Sequence, residues 1–341
     1  MAASDAAPQA TGLREIARLA GVSHQTVSRV LNGHPNIRPA TRDKVLAVVK
    51  EQNYRPSRVA RALATRRHER IGVVVDGASQ MGPASTLRAI EAAAYARDYT
   101  ISTLTASRQG TPIRDAVSHL VDHGVDGLIA IAPRTETIRQ LLGDPGDLPV
   151  VVINADAPAD RCTVSVDQSA GSRLAMDHLL AQGHRVIMHI AGPRDWAEAR
   201  AREAAWREAL VSAGLPVRPA LVGDWTADRG YELAAQVAAT QGCTAVFAAN
   251  DQMALGLIHG LHDAGVRVPE DVSVVGFDDL DESRHYLPPL TTVRQDFEAL
   301  GTASVEALLE LIAHPGEVPE PRRIQAVLVE RSSTAGPSAS R

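Results

Sequence analysis

The chain has 341 residues, 45% of them hydrophobic and 22% charged, which is typical of a folded soluble protein and excludes a mainly disordered one. No apolar run approaches the roughly 18 residues of a membrane span, and the first residues do not form a secretion signal. The length predicts more than one domain. The two cysteines, Cys162 and Cys243, lack disulfide or metal-ligand spacing, so we expect a cytoplasmic protein that begins with a disordered tail over residues 1–10.

Charge is distributed unevenly along the chain, although the net formal charge is only −5. Residues 1–70 contain 13 Lys and Arg against 5 Asp and Glu, whereas residues 71–341 contain 22 against 35. A basic head on an acidic body predicts that the head contacts a polyanion, because the body itself discourages non-specific adhesion. Charge alone leaves DNA, RNA and an acidic protein open as the partner.

Three short helices are predicted in the basic head. The segment LREIARLA has apolar residues at helical spacing and stops at Gly21, and Ser23 then stands at the N-cap position of a second helix, HQTVSRVLN. The segment PATRDKVLAVVKEQNY supplies a third helix with Pro39 at its start. Two helices joined by a tight glycine turn are typical of a helix-turn-helix, so we interpret residues 11–56 as a DNA-binding domain.

Polar side chains of the second helix are predicted to face DNA, because Val27, Val30 and Leu31 can face the first helix. Their donors and acceptors suit base edges in a major groove and the adjoining phosphates. A solvated face is the alternative for any polar helix taken singly, and the basic context favours DNA. The predicted contact residues are Ser23, His24, Gln25, Thr26, Ser28, Arg29 and Asn32.

The segment RPSRVARALATRRHER connects the head to the apolar body, and we assign residues 57–70 to a hinge and linker. One interpretation is a solvated linker. The other is a hinge helix over residues 57–64 that becomes ordered only on DNA. In that case Arg58 and Arg61 would hold phosphates, and Leu63 would be inserted between base steps in the minor groove.

From Ile71 onward the chain alternates apolar strand segments with helices, in two series. Repeated strand–helix units predict an α/β fold of doubly wound parallel sheets with helices on both faces, and two series predict two lobes. We expect this body to span residues 71–331 and a disordered tail to follow over residues 332–341. The first lobe is predicted at about residues 71–166 and 295–322, and the second at about 167–294 and 323–331.

Polar residues collect where the predicted strands end, which is where ligands bind in sheets of this kind. Four acids and amides follow apolar strands, and an arginine and a tryptophan lie in other connecting segments. Singly, a strand-end Asp or Asn is often a helix N-cap, and a lone Trp is often core packing. Together they suit the hydroxyls and the C–H face of a sugar. The six residues are Asp76, Asn154, Arg200, Trp225, Asn250 and Asp278.

The motifs AGVSHQTVSRVLN, TRDKV and NYRPSRVARALA, with ANDQMALG and VSVVGFDD in the body, resemble the lactose-repressor/galactose-repressor (LacI/GalR) family of bacterial transcription regulators. The resemblance covers nearly the whole chain beyond the first ten residues. It implies a two-lobed, periplasmic-binding-protein-like body and dimers that bind pseudo-palindromic operators. It also implies that His24, Gln25 and Arg29 read bases and that Leu63 intercalates.

The same resemblance implies that the six strand-end and connecting residues hold a sugar between the lobes, with the indole against the ring. Gln80 would join them in the wall of the first lobe. This chain departs from lactose-type members, which carry a small hydroxyl where Asp76 stands, an apolar residue where Gln80 stands and an aromatic where Val166 stands. The first-lobe side is therefore expected to select a different sugar or substituent, and a galactoside-like effector is favoured.

The expected function is repression of a carbohydrate-utilisation operon, with release of the operator by a small sugar. The alternatives are a regulator in which the ligand tightens DNA binding, and a sugar-binding protein without a regulatory role. The chain has no P-loop, nucleophile elbow or metal-spaced cluster, so we expect no enzyme activity, cofactor or metal. No leucine heptads follow AVLVERSS, so we expect a homodimer and not a coiled-coil tetramer.

Overall fold

The computed structural model describes residues 12–31, 34–54, 67–106, 112–141, 148–154 and 161–338. The chain divides into two compact units, Met1–His68 and Glu69–Arg341. Four of the predicted DNA contacts lie outside the described residues, namely Asn32, Arg58, Arg61 and Leu63.

The described part of the first unit contains three helices: α1 (Leu13–Leu19), α2 (His24–Leu31) and α3 (Pro39–Glu51). Gly21 has a φ of +61° between α1 and α2, a conformation that glycine adopts without steric cost. The apolar sides of the three helices meet in one small core, whose buried members are Ile16, Ala17, Ala20, Val27, Val30 and Val45. The predicted helix-turn-helix is confirmed.

The second unit alternates strands and helices. Its helices are α4 (Met81–Tyr95), α5 (Ile113–Asp122), α6 (Thr135–Leu141), α7 (Gln168–Ala181), α8 (Ala197–Ser212), α9 (Ala227–Ala239), α10 (Asp251–Asp263) and α11 (Phe297–Ala313). Its strands are β1 (Arg70–Asp76), β2 (Thr100–Ala106), β3 (Gly127–Ile131), β4 (Val150–Ile153), β5 (Cys162–Val166), β6 (Ile187–Ala191), β7 (Leu221–Val222), β8 (Ala245–Ala248), β9 (Ser273–Asp278), β10 (Thr291–Arg294), β11 (Arg322–Ile324) and β12 (Val327–Val329). A short 3-10 helix spans Asp281–His285.

The strands form two six-stranded sheets. Their order is β11-β5-β4-β3-β1-β2 in the first and β12-β10-β9-β8-β6-β7 in the second. All paired neighbours are parallel except β10 and β12, which are antiparallel. Strands β3, β6, β8 and β9 are buried along their whole length, as expected for parallel sheets covered on both faces. The predicted α/β fold class is confirmed.

The chain crosses between the two sheets three times. It leaves the first sheet after β5, returns after β10 and leaves again after β11. Strand β11 pairs with β5, so residues 323 and 324 lie in the first sheet, although we assigned them to the second lobe. The cause is local: both residues continue the parallel ladder along the edge of β5, and the chain turns away only after Ile324.

The expectation of a disordered tail from residue 332 is wrong for the residues that immediately follow. Ser333 is fully buried; its hydroxyl accepts from the backbone nitrogen of Thr291 at 2.8 Å and donates to the carbonyl of Val274 at 2.6 Å. The backbone nitrogen of Ala335 donates to the hydroxyl of Ser273 at 3.0 Å. These small residues satisfy polar groups beside β9 that would otherwise be buried without partners, which fixes this part of the chain.

No helix among the described residues is both long and apolar enough to cross a membrane.

Candidate functional site

Helix α2 presents one polar face. Ser23 caps the helix, since its hydroxyl accepts from the backbone nitrogen of Thr26 at 3.1 Å and lies 2.9 Å from the Thr26 hydroxyl. The cap was predicted, and it means that both hydroxyls have partners within the helix. The exposed residues of the face are His24, Gln25 and Arg29. Ser28 is half-buried beside them.

This exposed face has the chemistry of a nucleic-acid contact. A guanidinium donates to phosphates and to guanine, an amide can both donate to and accept from adenine, and an imidazole can do either. Val27 and Val30 anchor the opposite side of the helix in the core, so the polar side chains extend from a fixed support. The site is thus built on a rigid element and not on a loop.

A cavity that is partly open to solvent lies between the two lobes of the second unit, beyond the carboxyl ends of the strands. Both lobes contribute to its wall, and two indoles, Trp196 and Trp225, form part of its surface. Five of the predicted effector residues line it, namely Gln80, Asn154, Trp225, Asn250 and Asp278. Val166, where a departure from the family pattern was noted, lines it as well.

Asn250 is both a helix N-cap and a residue of the cavity wall, the two alternatives that the sequence left open for it. Its side-chain oxygen accepts from the backbone nitrogen of Met253 at 2.9 Å and so caps α10. Its side-chain nitrogen donates to the carbonyl of Trp225 at 3.0 Å and to Gln252 at 2.7 Å. The cap therefore also fixes the backbone of Trp225, whose φ is +76°, beside the cavity.

Trp225 is held in place by close packing. Its ring meets that of Trp196 edge-on, with 5.4 Å between the centroids. A Cβ added to Gly192 would lie 2.1 Å from the Trp225 ring, so only glycine allows this approach. The indole nitrogen of Trp225 is buried and has no hydrogen-bond acceptor among the described residues.

Arg202 is one of the cavity residues that sequence reasoning missed, with Gln168, Glu198 and Gln295. It is only 4% exposed and lines the cavity. Its Nε donates to Oε1 of Gln168 at 2.9 Å, and its Nη1 donates to the carbonyl of Ala249 and lies 3.6 Å from Oδ1 of Asp278. Gln295 closes a ring of contacts, since it accepts from Gln168 at 2.9 Å and donates to Asp278 at 2.6 Å.

This ring of contacts sets the charge of the cavity wall. Burial raises the pKa of Asp278 to about 6, against the opposing effects of Arg202 and Gln295. Burial also lowers the pKa of Arg202, and the nearby carboxylates oppose that shift. Asp278 has a φ of +115°, a backbone conformation that the surrounding contacts must hold in place.

Arg200 does not line the cavity, so its assignment to the sugar pocket is corrected. It lies on the same helix, α8, two residues before Arg202, and two residues correspond to about 200° around a helix. The sequence did contain the signal: Ala199, Ala205 and Trp206 form a buried stripe at helical spacing, and Arg202 lies within that stripe. Of the two arginines, the one within the apolar stripe is expected to point toward the interior of the protein.

Arg200 instead connects the two lobes. It donates to the hydroxyl of Thr135 in the first lobe at 2.8 Å and to the carbonyl of Arg194 in its own lobe at 3.1 Å. The backbone nitrogen of Ala197 also donates to the carbonyl of Pro133 across the cleft at 2.9 Å. These contacts hold the rims of the two lobes together.

Asp76 also lies outside the cavity, in a depression that it shares with Arg200. It is buried at the end of β1 and pairs with Arg134, and it accepts from the hydroxyl of Thr137 at 2.5 Å. Arg134 in turn lies 3.3 Å from Asp195 of the second lobe. The Asp76 carboxylate therefore positions Arg134 within the first lobe. Because Arg134 and Thr137 hold this carboxylate, it does not reach the cavity.

Asp251 supports the site from behind. Its buried carboxylate accepts from the backbone nitrogen of Leu280 at 2.9 Å and from the hydroxyls of Ser283 at 2.6 Å and Thr292 at 2.5 Å. Burial raises its pKa to about 7, and the nearby Asp278 carboxylate adds to that rise. Asp251 thereby fixes the segment that follows β9, directly after Asp278.

Within the described part of the chain, no group of three or more His, Cys, Asp or Glu residues could hold a metal ion.

Comparison with known proteins shows similarity in both units. Residues 12–57 match the bacterial regulatory proteins of the lacI family, and residues 176–334 match a periplasmic binding protein-like domain. The chain is 36% identical over 340 residues to the lactose operon repressor of Escherichia coli (strain K12), covering 96% of this chain and 91% of that protein. It is 33% identical over 309 residues to the transcriptional repressor PurR of Haemophilus influenzae, covering 89% and 92%.

The structural similarity extends over the same length. The crystal structure of the lac repressor dimer bound to operator and the anti-inducer ONPF aligns with a TM-score of 0.82 and 33% identity, and covers 96% of this chain and 100% of that chain.

Proposed function

Because the chain belongs to the LacI family of bacterial regulatory proteins and is a DNA-binding transcriptional repressor, we propose that it controls a carbohydrate-utilisation operon and leaves its operator when a small sugar binds between the lobes. The observation that carries the sugar proposal is the cavity itself. Two indoles there adjoin a ring of amide, carboxylate and guanidinium groups made by Gln168, Arg202, Asp278 and Gln295.

The DNA side of the proposal rests on the exposed face of α2. His24, Gln25 and Arg29 would contact bases and phosphates, while the three-helix core keeps their helix in one orientation. Arg58, Arg61 and Leu63 remain proposed hinge contacts.

The sugar side rests on complementarity of shape and chemistry. Sugar hydroxyls donate and accept, and the cavity offers both kinds of group, whereas an indole face packs against ring C–H groups. A galactoside-like effector stays the leading proposal, and it is supported by the similarity to a lactose operon repressor. The first-lobe wall differs from the lactose-type pattern at Gln80 and Val166, which favours another member of the same ligand class.

Coupling between the two sites would follow from the position of the cavity. A ligand that touches both lobes has a different affinity for each lobe arrangement, and it can shift their populations only by that difference. Induction is the proposed sense. Co-repression, in which the ligand tightens DNA binding, is the second candidate, since a ligand that favours the DNA-binding arrangement of the lobes would act in that sense.

We also propose a homodimer, supported by the dimer seen in the solved lac repressor–operator structure. Sedimentation equilibrium at micromolar concentration should give twice the chain mass, and a stable tetramer would overturn this assignment.

The function is tested by fluorescence anisotropy of a labelled symmetric operator selected from random DNA, with and without a panel of sugars. Dissociation by one sugar is the expected result. Tighter binding would show co-repression instead. Gln25→Ala should weaken operator binding without changing sugar binding, and Thr302→Ala, on α11 of the other unit, is the control that should leave operator binding unchanged.

A further inference from the structure

The charges of the cavity point to a restriction on the effector. We propose that the site accepts only uncharged, polyhydroxylated effectors and excludes phosphorylated or carboxylated sugars, with Glu198 as the residue that determines this specificity. The inference deepens the proposed function and rests on it, because it names the chemical class of the ligand for the same cavity.

The cavity wall carries more negative than positive charge. Among the described residues that line it, two are acidic, Glu198 and Asp278, and one is basic, Arg202. Glu198 lies in the first turn of α8, four residues before Arg202, so both side chains project from the same face of the helix. The sequence contains no lysine after Lys50, so the second unit has only arginine as a permanently charged cation.

The guanidinium of Arg202 is already committed. It donates to Gln168 and to the carbonyl of Ala249, and it lies 3.6 Å from Asp278. The charges of Asp278, Glu198 and Asp251 all favour its charged form. An anionic ligand would have to compete with these carboxylates for one guanidinium, in a site where charges are poorly screened by water.

Two further arginines near the cleft are also engaged. Arg134 pairs with Asp76 and lies 3.3 Å from Asp195, and Arg200 donates to Thr135. Both arginines line the depression outside the cavity. Both are already held by a carboxylate or a hydroxyl outside the cavity, so neither of these two arginines offers a free cation to an anion bound there.

A neutral sugar meets no such obstacle. The carboxylates of Glu198 and Asp278 accept hydrogen bonds from hydroxyls, and hydrogen bonds to an ionised acceptor are the stronger kind. The amides of Gln80, Asn154 and Asn250 line the same wall. Glu198 thus favours a hydroxyl in the place where a phosphate or carboxylate would be repelled.

The test measures ligand binding to the full-length protein by tryptophan fluorescence, because two of its three tryptophans line the cavity. The probes are galactose, galactose 6-phosphate and galacturonate, with the same three forms of glucose. We expect the neutral sugar of a series to bind at least about a hundredfold more tightly than its anionic forms. Equal or tighter binding of either anionic form would overturn the proposal.

A pair of variants tests the role of Glu198. Glu198→Gln keeps the size of the side chain and removes its charge, so the ratio of anionic to neutral affinity should rise by roughly tenfold. Glu208→Gln removes the same charge from an exposed position on the same helix and should leave that ratio unchanged. An identical ratio in both variants would contradict the assignment of Glu198.

Operator release is measured separately on the same samples, so the two proposals fail in different ways. A neutral sugar that binds the cavity but does not alter operator affinity would refute the proposed function and leave the charge preference standing. A sugar phosphate that binds the protein and causes release of the operator would refute the charge preference and leave the proposed function standing.

Discussion

Two buried charged residues, Arg202 and Asp278, lie side by side in the wall of the cavity. Arg202 is buried because it serves both the fold and the cavity: it ties Gln168 of α7 to the end of β8 and balances Asp278. A buried ion pair adds little stability relative to an apolar pair of the same shape, but removal of one partner leaves an uncompensated charge. In this pair Arg202 opposes the effect of burial on the pKa of Asp278 and so favours an ionised carboxylate in the cavity wall.

Arg202→Met should therefore destabilise the protein by about 3 kcal/mol and abolish the effector response, because Asp278 is left buried without its cation. Urea unfolding and sugar titration measure the two effects. Adding Asp278→Asn to Arg202→Met should restore part of the stability but not the response. Arg200→Met is the matched control on the same helix and should keep sugar binding; loss of binding there would return Arg200 to the cavity.

His189 makes stability depend on pH. It is fully buried between Trp206 and Phe247, and burial lowers its pKa to about 3. Folding thus favours the neutral imidazole, so its contribution is complete above the unfolded pKa of about 6.5 and is lost as the pH falls toward 3.

Between pH 6.5 and 4.5 this loss should amount to roughly 2 kcal/mol, measured by urea unfolding. The raised pKa values of Asp251 and Asp278 act in the opposite direction, since folding favours their protonated forms. The comparison must therefore be with His189→Phe, which should lack only the histidine contribution. Parallel pH profiles of the parent and the variant would refute the assignment.

At the scale of elements, contacts at the starts of α6 and α8 connect the two lobes. Arg200 at the start of α8 donates to Thr135 at the start of α6, and Arg134, which precedes α6, lies close to Asp195, which precedes α8. Each contact is partly exposed, so each should contribute modestly.

Arg200→Ala and Thr135→Val should each shift the sugar concentration at half-response by about two- to fivefold, in the same direction, because each removes the same bond between the lobes. The double variant should show no more than the larger single effect, since the bond between Arg200 and Thr135 is already lost in each single variant. Fluorescence titration of the four proteins forms the cycle. Additive shifts would mean that the two residues act independently.

At the scale of the whole molecule, residues near the end of the chain hold the second sheet together. Ser333 and Ala335 bond to Val274, Thr291 and Ser273, and Ala335 also accepts from His184 at 3.0 Å. The second lobe is thus completed by a segment more than thirty residues away from its last buried strand in the sequence.

A chain that ends at Ser332 should lose roughly 3 kcal/mol of unfolding free energy or more, at about 1 kcal/mol for each hydrogen bond removed. Denaturant unfolding checks this. A chain that ends at Ser338 keeps all these contacts and should match the parent. Equal stability of the two truncated proteins would show that the packed segment is dispensable.

Periodicity and turn chemistry were sufficient to identify the architecture from the sequence. The helix-turn-helix followed from Gly21 and from the spacing of Val27 and Val30, and the two lobes followed from repeated apolar strands. These signals are local or repeat at a fixed period, so they can be identified in the sequence without knowledge of the contacts between elements. The strand-end positions of Asn154, Asn250 and Asp278 were equally readable.

Which of several polar side chains enters the cavity was decided only by tertiary packing. Asp76 and Arg200 carry suitable groups, but one is held by Arg134 and the other is turned away by about 200° of helix from Arg202. The order along the segment from residue 332 likewise depends on polar groups of β9 and on Thr291, which are remote in sequence. Local pattern determines the elements and their ends, and long-range pairing determines which groups remain available to a ligand.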